Sequence, residues 1–467
     1  MLFNSFEFVI LVAVTLLLYY LPIARTWQVV ILIVSSFVFY GSHEPWLLLL
    51  LIASVTINAV TSWMVVRGDP GNKRIWAVAG VVANLLILGS FKYAGFFANT
   101  LSLEGGLADF LYKIPLPIGI SFFTFQGISL LMDTFAEESD SDERTESIVQ
   151  QKLKDHFLFT VFYISFFPQL VAGPIVKANE FLPQIKPKWL KEIDWNYCFR
   201  KLVVGYFLKM VIADNLKDST FWITYPYFLS RSTVDLAAML FGFSMQIFAD
   251  FAGYSLIALG IAGLFGYRLP DNFMFPYISK SFSEFWRRWH ISLSSWLRDY
   301  LYFPLGGNRK GPKRTYFNLF IVMFLGGLWH GAAWSYAIWG MVHGGALAAE
   351  RFCKKFVSLP STRLFDVLKM LFVFSFVTFA WLLFKLPEIP HVQGFLQTMV
   401  NNAFEKPVIP SLYYIALFSF PVMLYHAYYL WKSESWKRRL EPVLFGGMLF
   451  CLLFNSGSPG EFIYFQF

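Results

Sequence analysis

The chain has 467 residues, of which 57% are hydrophobic and 15% are charged, with a formal net charge of +8. Soluble domains carry about 25% charged residues, so the composition excludes a soluble multidomain protein and predicts a polytopic membrane protein. Basic cytoplasmic loops explain the positive charge better than binding to nucleic acid does. The three cysteines are scattered, without disulfide or zinc-ligand spacing, so no metal site is predicted.

Uncharged apolar runs follow one another along the whole chain. No cleavable signal is recognised at the N-terminus, so the first run is interpreted as a retained helix from Phe8 to Ala24. Several later runs are too short to cross a bilayer alone, which favours re-entrant or interfacial pieces. No segment between runs exceeds about 50 residues, so a single membrane-embedded domain, residues 1–467, is predicted. The later runs are Thr26–His43, Pro45–Val66, Ile75–Phe91, Ile114–Met132, Phe157–Val176, roughly 202–213 and 219–230 (both weaker), Ala237–Phe265, Tyr316–Ala349, Met370–Phe384, Ser411–Leu430 and Pro442–Gly460.

Basic residues between the runs indicate the orientation of the chain. They cluster within residues 67–74, 177–191, 280–314, 351–355 and 432–439. The positive-inside rule places these clusters on the cytoplasmic side. Both flanks of Tyr316–Ala349 then lie on one side, so that run is either a re-entrant hairpin or a pair of short spans. The acidic stretch Glu137–Glu146 is typical of a solvated connector, and we assign it no chemistry.

Polar residues and helix breakers inside apolar runs mark candidate functional stretches. PLPIGISFFTFQG (Pro115–Gly127) and FFPQLVAGPI (Phe166–Ile175) combine prolines, glycines and polar residues, among them Gln126. A kinked packing helix is the alternative reading of both. Asp250 is the only charge between Ala237 and Phe265, so its carboxylate must face a partner or water. We favour a structural pair with an arginine of the basic 280–314 loop over a catalytic role.

The segment SFSEFWRRWHISLSSWLRDYLYFPLGGN (Ser281–Asn308) surrounds His290 with tryptophans and arginines. Such interleaving is typical of a helix at the membrane interface. The guanidinium groups of Arg287, Arg288 and Arg298 would equally suit a phosphorylated donor that arrives from the cytoplasm. The sequence contains no phosphate-binding loop, dinucleotide fingerprint or HExxH motif, so phosphate-loop enzymes and zinc proteases are unsupported.

The stretch LGGLWHGAAWSYAIWGMVHGG (Leu325–Gly345) lies inside the longest uncharged run. One continuous helix over that run would span roughly 50 Å, more than the ~30 Å hydrocarbon core, so the run must tilt, break or fold back. Gly326, Gly327 and Gly331 offer a break that brackets His330. A histidine inside an apolar segment is a functional-site candidate, and a histidine hydrogen-bonded between helices is the alternative.

Five stretches in this order resemble motifs of the membrane-bound O-acyltransferase (MBOAT) family, and within it the bacterial alginate O-acetyltransferase branch. D-alanyl transfer proteins of teichoic acid modification and peptidoglycan O-acetyltransferases lie close by. The resemblance implies an all-α fold: a ring of about 11 transmembrane helices with re-entrant and interfacial helices, where an outer funnel meets a cytoplasmic tunnel. The stretches are PIGISFFTFQ, FFPQLVAGPI, DFAGYSLIALGIAGLFGYRLPDNF, FWRRWHISLSSWLRDYLYFPLGGN and LWHGAAWSYAIWGMVHG.

The resemblance also implies the site. The catalytic histidine of the family matches His330 in LWHG, and a second histidine matches His290 in WRRWH, which we expect to line the donor tunnel rather than to perform the bond chemistry. His343 falls in a less diagnostic position. Residues expected at the donor site or tunnel are Trp286, Arg287, Arg288, Arg298, Asp250, Trp329 and Gln126.

By the same resemblance, the activity is transfer of an acetyl group from a cytoplasmic thioester, acetyl-CoA or an acyl-carrier thioester, with no bound cofactor. The product is an O-acetylated polysaccharide outside the bacterial inner membrane (alginate-like, cellulose or peptidoglycan), made with an extracytoplasmic SGNH-like acetyltransferase as partner. Histidine suits either a general base or a transient acetyl-histidine, and backbone N–H groups at the Gly326–Gly331 break would suit an oxyanion. D-alanyl-type transfer from a carrier protein is the alternative. A proton-coupled transporter is disfavoured because no internal repeat is recognised, and a non-catalytic scaffold would not need His330.

Overall fold

The computed structural model is helical. It describes residues 1–42, 44–139, 148–171, 173–356, 360, 362–431, 433–460 and 462–463. Within these ranges every regular element is a helix, and no strand occurs. Helices satisfy their own backbone hydrogen bonds, which an apolar environment requires. The all-α class predicted from the sequence is therefore confirmed.

The chain divides into two compact units. The first comprises Met1–Arg200 and Ala258–Pro270, and the second comprises Lys201–Ile257 and Asp271–Phe467. The helices that begin before the first boundary are α1 (Phe6–Tyr19), α2 (Gln28–Gly41), α3 (Leu47–Arg67), α4 (Lys73–Lys92), α5 (Ala94–Thr100), α6 (Gly106–Tyr112), α7 (Ile120–Ser139), α8 (Leu153–Ser165), α9 (Phe167–Leu170), α10 (Ala178–Phe181) and α11 (Trp195–Tyr206).

Later in the chain, two π-helical turns, Phe207–Ala213 and Arg298–Tyr302, accompany the α-helices. The α-helices are α12 (Asp214–Thr220), α13 (Thr233–Leu264), α14 (Phe282–Arg288), α15 (Ile291–Leu297), α16 (Pro312–His330), α17 (Trp334–Cys353), α18 (Arg363–Lys385), α19 (Ile389–Asn401), α20 (Ile409–Leu430) and α21 (Glu434–Phe454).

The first unit is held together partly by buried polar contacts between helices. The amides of Asn58 on α3 and Asn84 on α4 exchange hydrogen bonds of 3.2 and 2.8 Å. Ser62 of α3 lies 2.8 Å from the Nε2 atom of His156 on α8. Interhelical hydrogen bonds of this kind stabilise helix packing in membranes. They explain why polar residues recur in apolar runs of this unit.

Six helical segments of the described residues are long and apolar enough to cross a bilayer. They support a multi-pass membrane protein. The predicted ring of about 11 spans stays a prediction. The six segments are Pro22–Gly41, Leu47–Arg67, Pro70–Lys92, Thr233–Leu264, Arg363–Lys385 and Ile409–Leu430.

Several predicted element boundaries are wrong, and prolines explain two of them. The first helix ends at Tyr19 rather than Ala24, because Leu21 is extended ahead of Pro22, which opens a 3₁₀ turn. The run Phe157–Val176 splits at Phe166, just before Pro168, into α8 and the single turn α9. Helix α21 begins at Glu434, ahead of its predicted apolar run.

The acidic stretch predicted as a connector falls mostly outside the described residues, which stop at 139 and resume at 148. At its near end the Glu137 carboxylate accepts a hydrogen bond of 3.1 Å from the backbone N–H of Ile148. Residue 432 of the last predicted basic cluster also lies outside the described residues.

Candidate active site

The long uncharged run folds into a helical hairpin in the second unit. Helix α16 ends at His330, Gly331 is extended (φ −161°, ψ 152°), and α17 begins at Trp334. The two arms contain 19 and 20 residues, each about 30 Å long. The chain therefore breaks immediately after His330. The prediction that Gly326 and Gly327 belong to the break is wrong, because both are helical.

This break also narrows the source of an oxyanion site. The N–H groups of residues 326–330 point back along helix α16, as helical N–H groups do. Residues 331–333 and the first-turn N–H groups of α17 offer the backbone donors at the break. The wider set predicted from the sequence is corrected accordingly, and an oxyanion role for these donors stays a prediction.

Two glycines let the arms of the hairpin touch backbone to backbone. A Cβ on Gly327 would lie 2.2 Å from the carbonyl oxygen of Tyr336 and 3.0 Å from the Cα of Gly340. A Cβ on Gly340 would lie 2.2 Å from the carbonyl oxygen of Met323. Small residues permit such close helix packing in membranes. The contact fixes the end of α16 against α17 and so places His330 beside Trp339.

His330 is enclosed by aromatic rings. The residue as a whole is only 3% exposed. The centroid of the imidazole lies 5.1 Å from that of Trp329, 5.2 Å from that of Trp339 and 5.3 Å from that of Phe384, each ring meeting it edge to face. Such walls exclude water, which protects a reactive thioester from hydrolysis.

His290 lies in the link between α14 and α15, and its ring centroid is 6.2 Å from that of His330. The residue is fully buried and its backbone is left-handed (φ +43°, ψ 56°). Its Nδ1 atom lies 3.0 Å from the Oδ1 atom of Asn272, and Phe251 of α13 meets its ring edge-on at 4.6 Å. The structure thus brings the two predicted histidines together.

Tryptophans connect these histidines to His343, to which the sequence analysis assigned no role. The ring centroid of Trp329 lies 6.0 Å from that of His290, and the ring centroid of Trp286 lies 5.7 Å from that of Trp339. His343, one turn after Trp339 on α17, lies 4.7 Å from that ring and 5.3 Å from Trp286. Both nitrogens of His343 and the indole N–H groups of Trp286 and Trp339 are buried without a partner among the described residues. The helical spacing of Trp339 and His343 was the available signal.

The three predicted arginines differ in their surroundings. Arg287 is exposed. Arg288 donates to the carboxylate of Glu284 and to the carbonyl oxygen of Met274, both at 2.9 Å. Arg298 pairs with the adjacent Asp299 at 2.7 Å. Arg288 therefore has a structural role, and Arg287 is the guanidinium best placed to meet a partner in solution. A role in donor binding stays a prediction for all three.

The predicted partner of Asp250 is wrong. Its carboxylate pairs with Lys209 at 2.7 Å and accepts a hydrogen bond of 2.7 Å from the backbone N–H of Ile463. The ammonium of Lys209 also contacts Asp214 at 2.8 Å and the carbonyl oxygen of Gly460 at 3.1 Å. The π-helical turn carries Lys209 into the protein. A single lysine in a weak apolar run does not indicate that it is buried against Asp250. The sequence therefore favours an arginine of the basic loop as the partner.

Gln126 belongs to the first unit, on α7, where it is buried. Its backbone carbonyl accepts a hydrogen bond of 3.0 Å from the Ser129 hydroxyl. A role for Gln126 at the donor site stays a prediction. Among the residues that the structure describes, no group of three or more His, Cys, Asp or Glu side chains is arranged to hold a metal ion.

Comparison with known proteins gives the family. Residues 120–387, which include both histidines of the site, match the model of the membrane-bound O-acyltransferase family, MBOAT. The chain is 34% identical to the peptidoglycan O-acetyltransferase of Helicobacter pylori, over 79% of this chain and 73% of the relative. It is 37% identical to the probable alginate O-acetylase AlgI of Pseudomonas aeruginosa, over 82% and 72%. It is 32% identical to the teichoic acid D-alanyltransferase of Bacillus subtilis, over 57% and 68%. The chain therefore belongs to the membrane-bound O-acyltransferase family and is an acyltransferase.

Proposed function

We propose that this chain moves an acetyl group from a cytoplasmic thioester, across the bacterial inner membrane, toward hydroxyl groups of an extracytoplasmic polysaccharide. The observation that carries the proposal is the burial of His330 at the end of α16, with His290 beside it. Two similar relatives, at 34% and 37% identity, are named for O-acetyl transfer, which supports acetyl over D-alanyl as the group moved.

The chemistry requires one proton acceptor near the thioester. A hydroxyl gives its proton to a ring nitrogen of His330, its oxygen attacks the carbonyl carbon, and the C–S bond breaks. The protonated His330 then gives this proton to the leaving thiolate and returns to its neutral form. A positioned base of this kind contributes roughly 10²–10⁴-fold in rate. In the other route the imidazole itself attacks and carries the acetyl group briefly. The aromatic wall around His330 suits both routes, because it keeps water from the activated carbonyl.

The donor is a thioester of coenzyme A or of an acyl carrier protein, and both present phosphates or acidic groups. Besides Arg287, exposed basic residues lie in the link ahead of α16, Arg309 and Lys310, and in the first turn of that helix, Lys313 and Arg314. Charges at the rim of a contact raise the rate of association and make it sensitive to salt. These residues therefore support a donor that arrives from the cytoplasm, where the positive-inside rule places them.

The recipient is reached through a second protein. Between the described helices, no segment is long enough to form a polysaccharide-binding domain. We infer that an extracytoplasmic acetyltransferase with an SGNH-type serine site receives the acetyl group and passes it to the polymer. The receiving hydroxyl must come within about 3 Å of the carbonyl carbon for efficient attack. Proteoliposomes with donor inside and polymer outside test this: acetylated polymer without a second protein would contradict the relay.

A substitution of His330 tests the function directly. In a strain that lacks the chromosomal copy, we expect His330→Ala to abolish acetylation of the polymer while the protein accumulates in the membrane. The matched control is His426→Ala, which removes another buried histidine, one hydrogen-bonded to the backbone of its own helix α20. Unchanged acetyl content in the His330 variant, at equal protein level, would overturn the assignment.

A trapping experiment separates the two chemical routes. Purified protein is incubated with radiolabelled acetyl donor and quenched. Label that is released by hydroxylamine and is absent from His330→Ala indicates an acetyl-histidine, whereas unlabelled but active protein indicates a base. Supplying a D-alanyl carrier thioester in the same assay tests the alternative acyl group.

A further inference from the structure

The backbone and the ring of His290 are both held by one residue, Asn272, in the segment between α13 and α14. Asn272 is 2% exposed. Its backbone carbonyl accepts a hydrogen bond of 2.9 Å from the N–H of Ile291. Its Oδ1 atom accepts from the backbone N–H of Ser292 at 3.2 Å and from the Ser292 hydroxyl at 2.9 Å, and lies 3.0 Å from Nδ1 of His290. Its Nδ2 atom donates to the Ser255 hydroxyl at 3.2 Å.

These contacts fix the orientation of the amide by chemistry. A backbone N–H can only donate, so the amide atom that faces the N–H of Ser292 must be the oxygen. The same oxygen faces His290, and a carbonyl oxygen can only accept. The Nδ1 atom of His290 must therefore carry a proton. A neutral imidazole has one N–H, so Nε2 carries the lone pair.

The backbone of His290 adds a second constraint. A left-handed conformation is disfavoured for any residue with a Cβ, and such conformations persist where the surroundings over-determine them. Here the N–H of Ile291 is held by Asn272, and the backbone N–H of Met274 donates to the carbonyl oxygen of Arg288 at 2.9 Å. Phe251 packs edge-on against the ring. The ring is thus locked in one place and with one tautomer.

We propose that Asn272 is a positioning residue that holds His290 as the Nδ1–H tautomer, so that His290 meets the reactants as a hydrogen-bond acceptor through Nε2. This inference rests on the proposed function, because an acceptor can orient a recipient hydroxyl as it enters the site, before that hydroxyl turns its proton to His330. The Nε2 atom of His290 can therefore accept a hydrogen bond from an O–H group, and it cannot donate one to a carbonyl oxygen. His290 forms and breaks no covalent bond in this role.

The charged and titratable groups around this ring are few among the described residues. His330 contacts it from α16 at a centroid distance of 6.2 Å. Asp271, the neighbour of Asn272, is paired with Lys201 at 2.6 Å, and Arg288 of α14 is paired with Glu284. A new carboxylate at position 272 would be in direct contact with the imidazole, whereas these neighbouring charges are already paired. The substitution Asn272→Asp therefore probes the protonation of His290 selectively.

Two substitutions of Asn272 and one control test the proposal in donor-to-acceptor acetyl transfer. Asn272→Asp keeps an acceptor for Nδ1–H and stabilises the protonated imidazole, which cannot accept through Nε2. Its rate at alkaline pH should match wild type, while the acid limb of the kcat profile should move up by roughly one pH unit or more. Asn272→Ala frees the ring, so kcat should fall at least about tenfold with little change in KM for the donor. Ser255→Ala, which touches only the far end of the amide, should keep the wild-type profile.

The inference is overturned by an unshifted profile in Asn272→Asp, or by wild-type kcat in folded Asn272→Ala. Should either variant fail to fold, nitrogen-15 NMR of histidine-labelled wild-type protein reads the tautomer directly, with His290→Gln used for assignment. Protonated Nδ1 and unprotonated Nε2 at neutral pH support the inference, and the reverse pattern overturns it. The spectrum needs no activity, so an inactive wild-type protein would count against the proposed function alone.

Discussion

The close contact between the arms of the hairpin predicts a large effect from one methyl group. In Gly327→Ala, the new Cβ would lie 2.2 Å from the carbonyl oxygen of Tyr336, where ordinary contacts begin near 3.4 Å. The two backbones must therefore separate by about 1 Å, since neither atom belongs to a flexible side chain. Because Trp339 follows Tyr336 on the same arm, the shift changes the wall that faces His330.

Two opposing contributions decide whether Gly327→Ala raises or lowers the stability of the protein. Overpacking of this kind costs about 1–3 kcal/mol, and the better helix propensity of alanine returns about 1 kcal/mol. We expect a modest loss of stability and a larger loss of activity, since a 1 Å misplacement in an active site can reduce the rate about 10²-fold. The matched control is Gly345→Ala on α17, the other arm of the hairpin, where a Cβ would meet nothing within 4 Å.

Both variants are to be purified in detergent and compared by thermal unfolding and by acetyl transfer at equal protein concentration. Gly345→Ala should keep wild-type activity and be as stable as the parent or slightly more so. If Gly327→Ala also keeps wild-type activity and stability, the packing of the hairpin does not position His330 as described.

Three further predictions concern other residues of the second unit. His290→Ala should lower transfer without the complete loss expected at His330, and equal, complete loss at matched protein level would indicate a joint catalytic role. Arg287→Gln should weaken use of the donor mainly at low salt, whereas Arg288→Gln should reduce folded yield, because it breaks the contacts to Glu284 and Met274; labelling of introduced cysteines shows whether residues 281–314 face the cytoplasm, and an extracytoplasmic location refutes the donor role. Lys209→Met should destabilise the protein by about 3–5 kcal/mol, because it leaves two buried carboxylates without their cation; unfolding at the wild-type temperature would show that the cluster is not ionised as drawn.

The class of fold could be predicted from the sequence, and two histidines could be identified there as candidates for the site. Apolar runs and a low charge content report directly on burial in lipid, and residues such as His330 stand out because their neighbours are uniformly apolar. His290 stands out through its tryptophan and arginine neighbours. The structure adds that these two residues, from separate segments, share one aromatic enclosure.

Other parts of the site depend on contacts that no local pattern encodes. Lys209 is buried through a π-helical turn, and its pairing with Asp250 joins segments far apart in the chain. Asn272 looks like an ordinary loop residue in LPDNF, and its role follows only from the link that it meets. The break of the hairpin was placed too broadly, because the sequence does not distinguish glycines that end a helix from glycines that let two helices touch.

The central claim is that His330 mediates the outward transfer of an acetyl group. The direct measurement uses proteoliposomes that contain the purified chain, with radiolabelled acetyl thioester sealed inside and the partner acetyltransferase with its polymer outside. We expect labelled acetyl groups to reach the outer acceptor with the wild-type chain and with His426→Ala, and none to arrive above background with His330→Ala. Transfer by His330→Ala at the wild-type rate, in vesicles of equal protein content, would contradict the account.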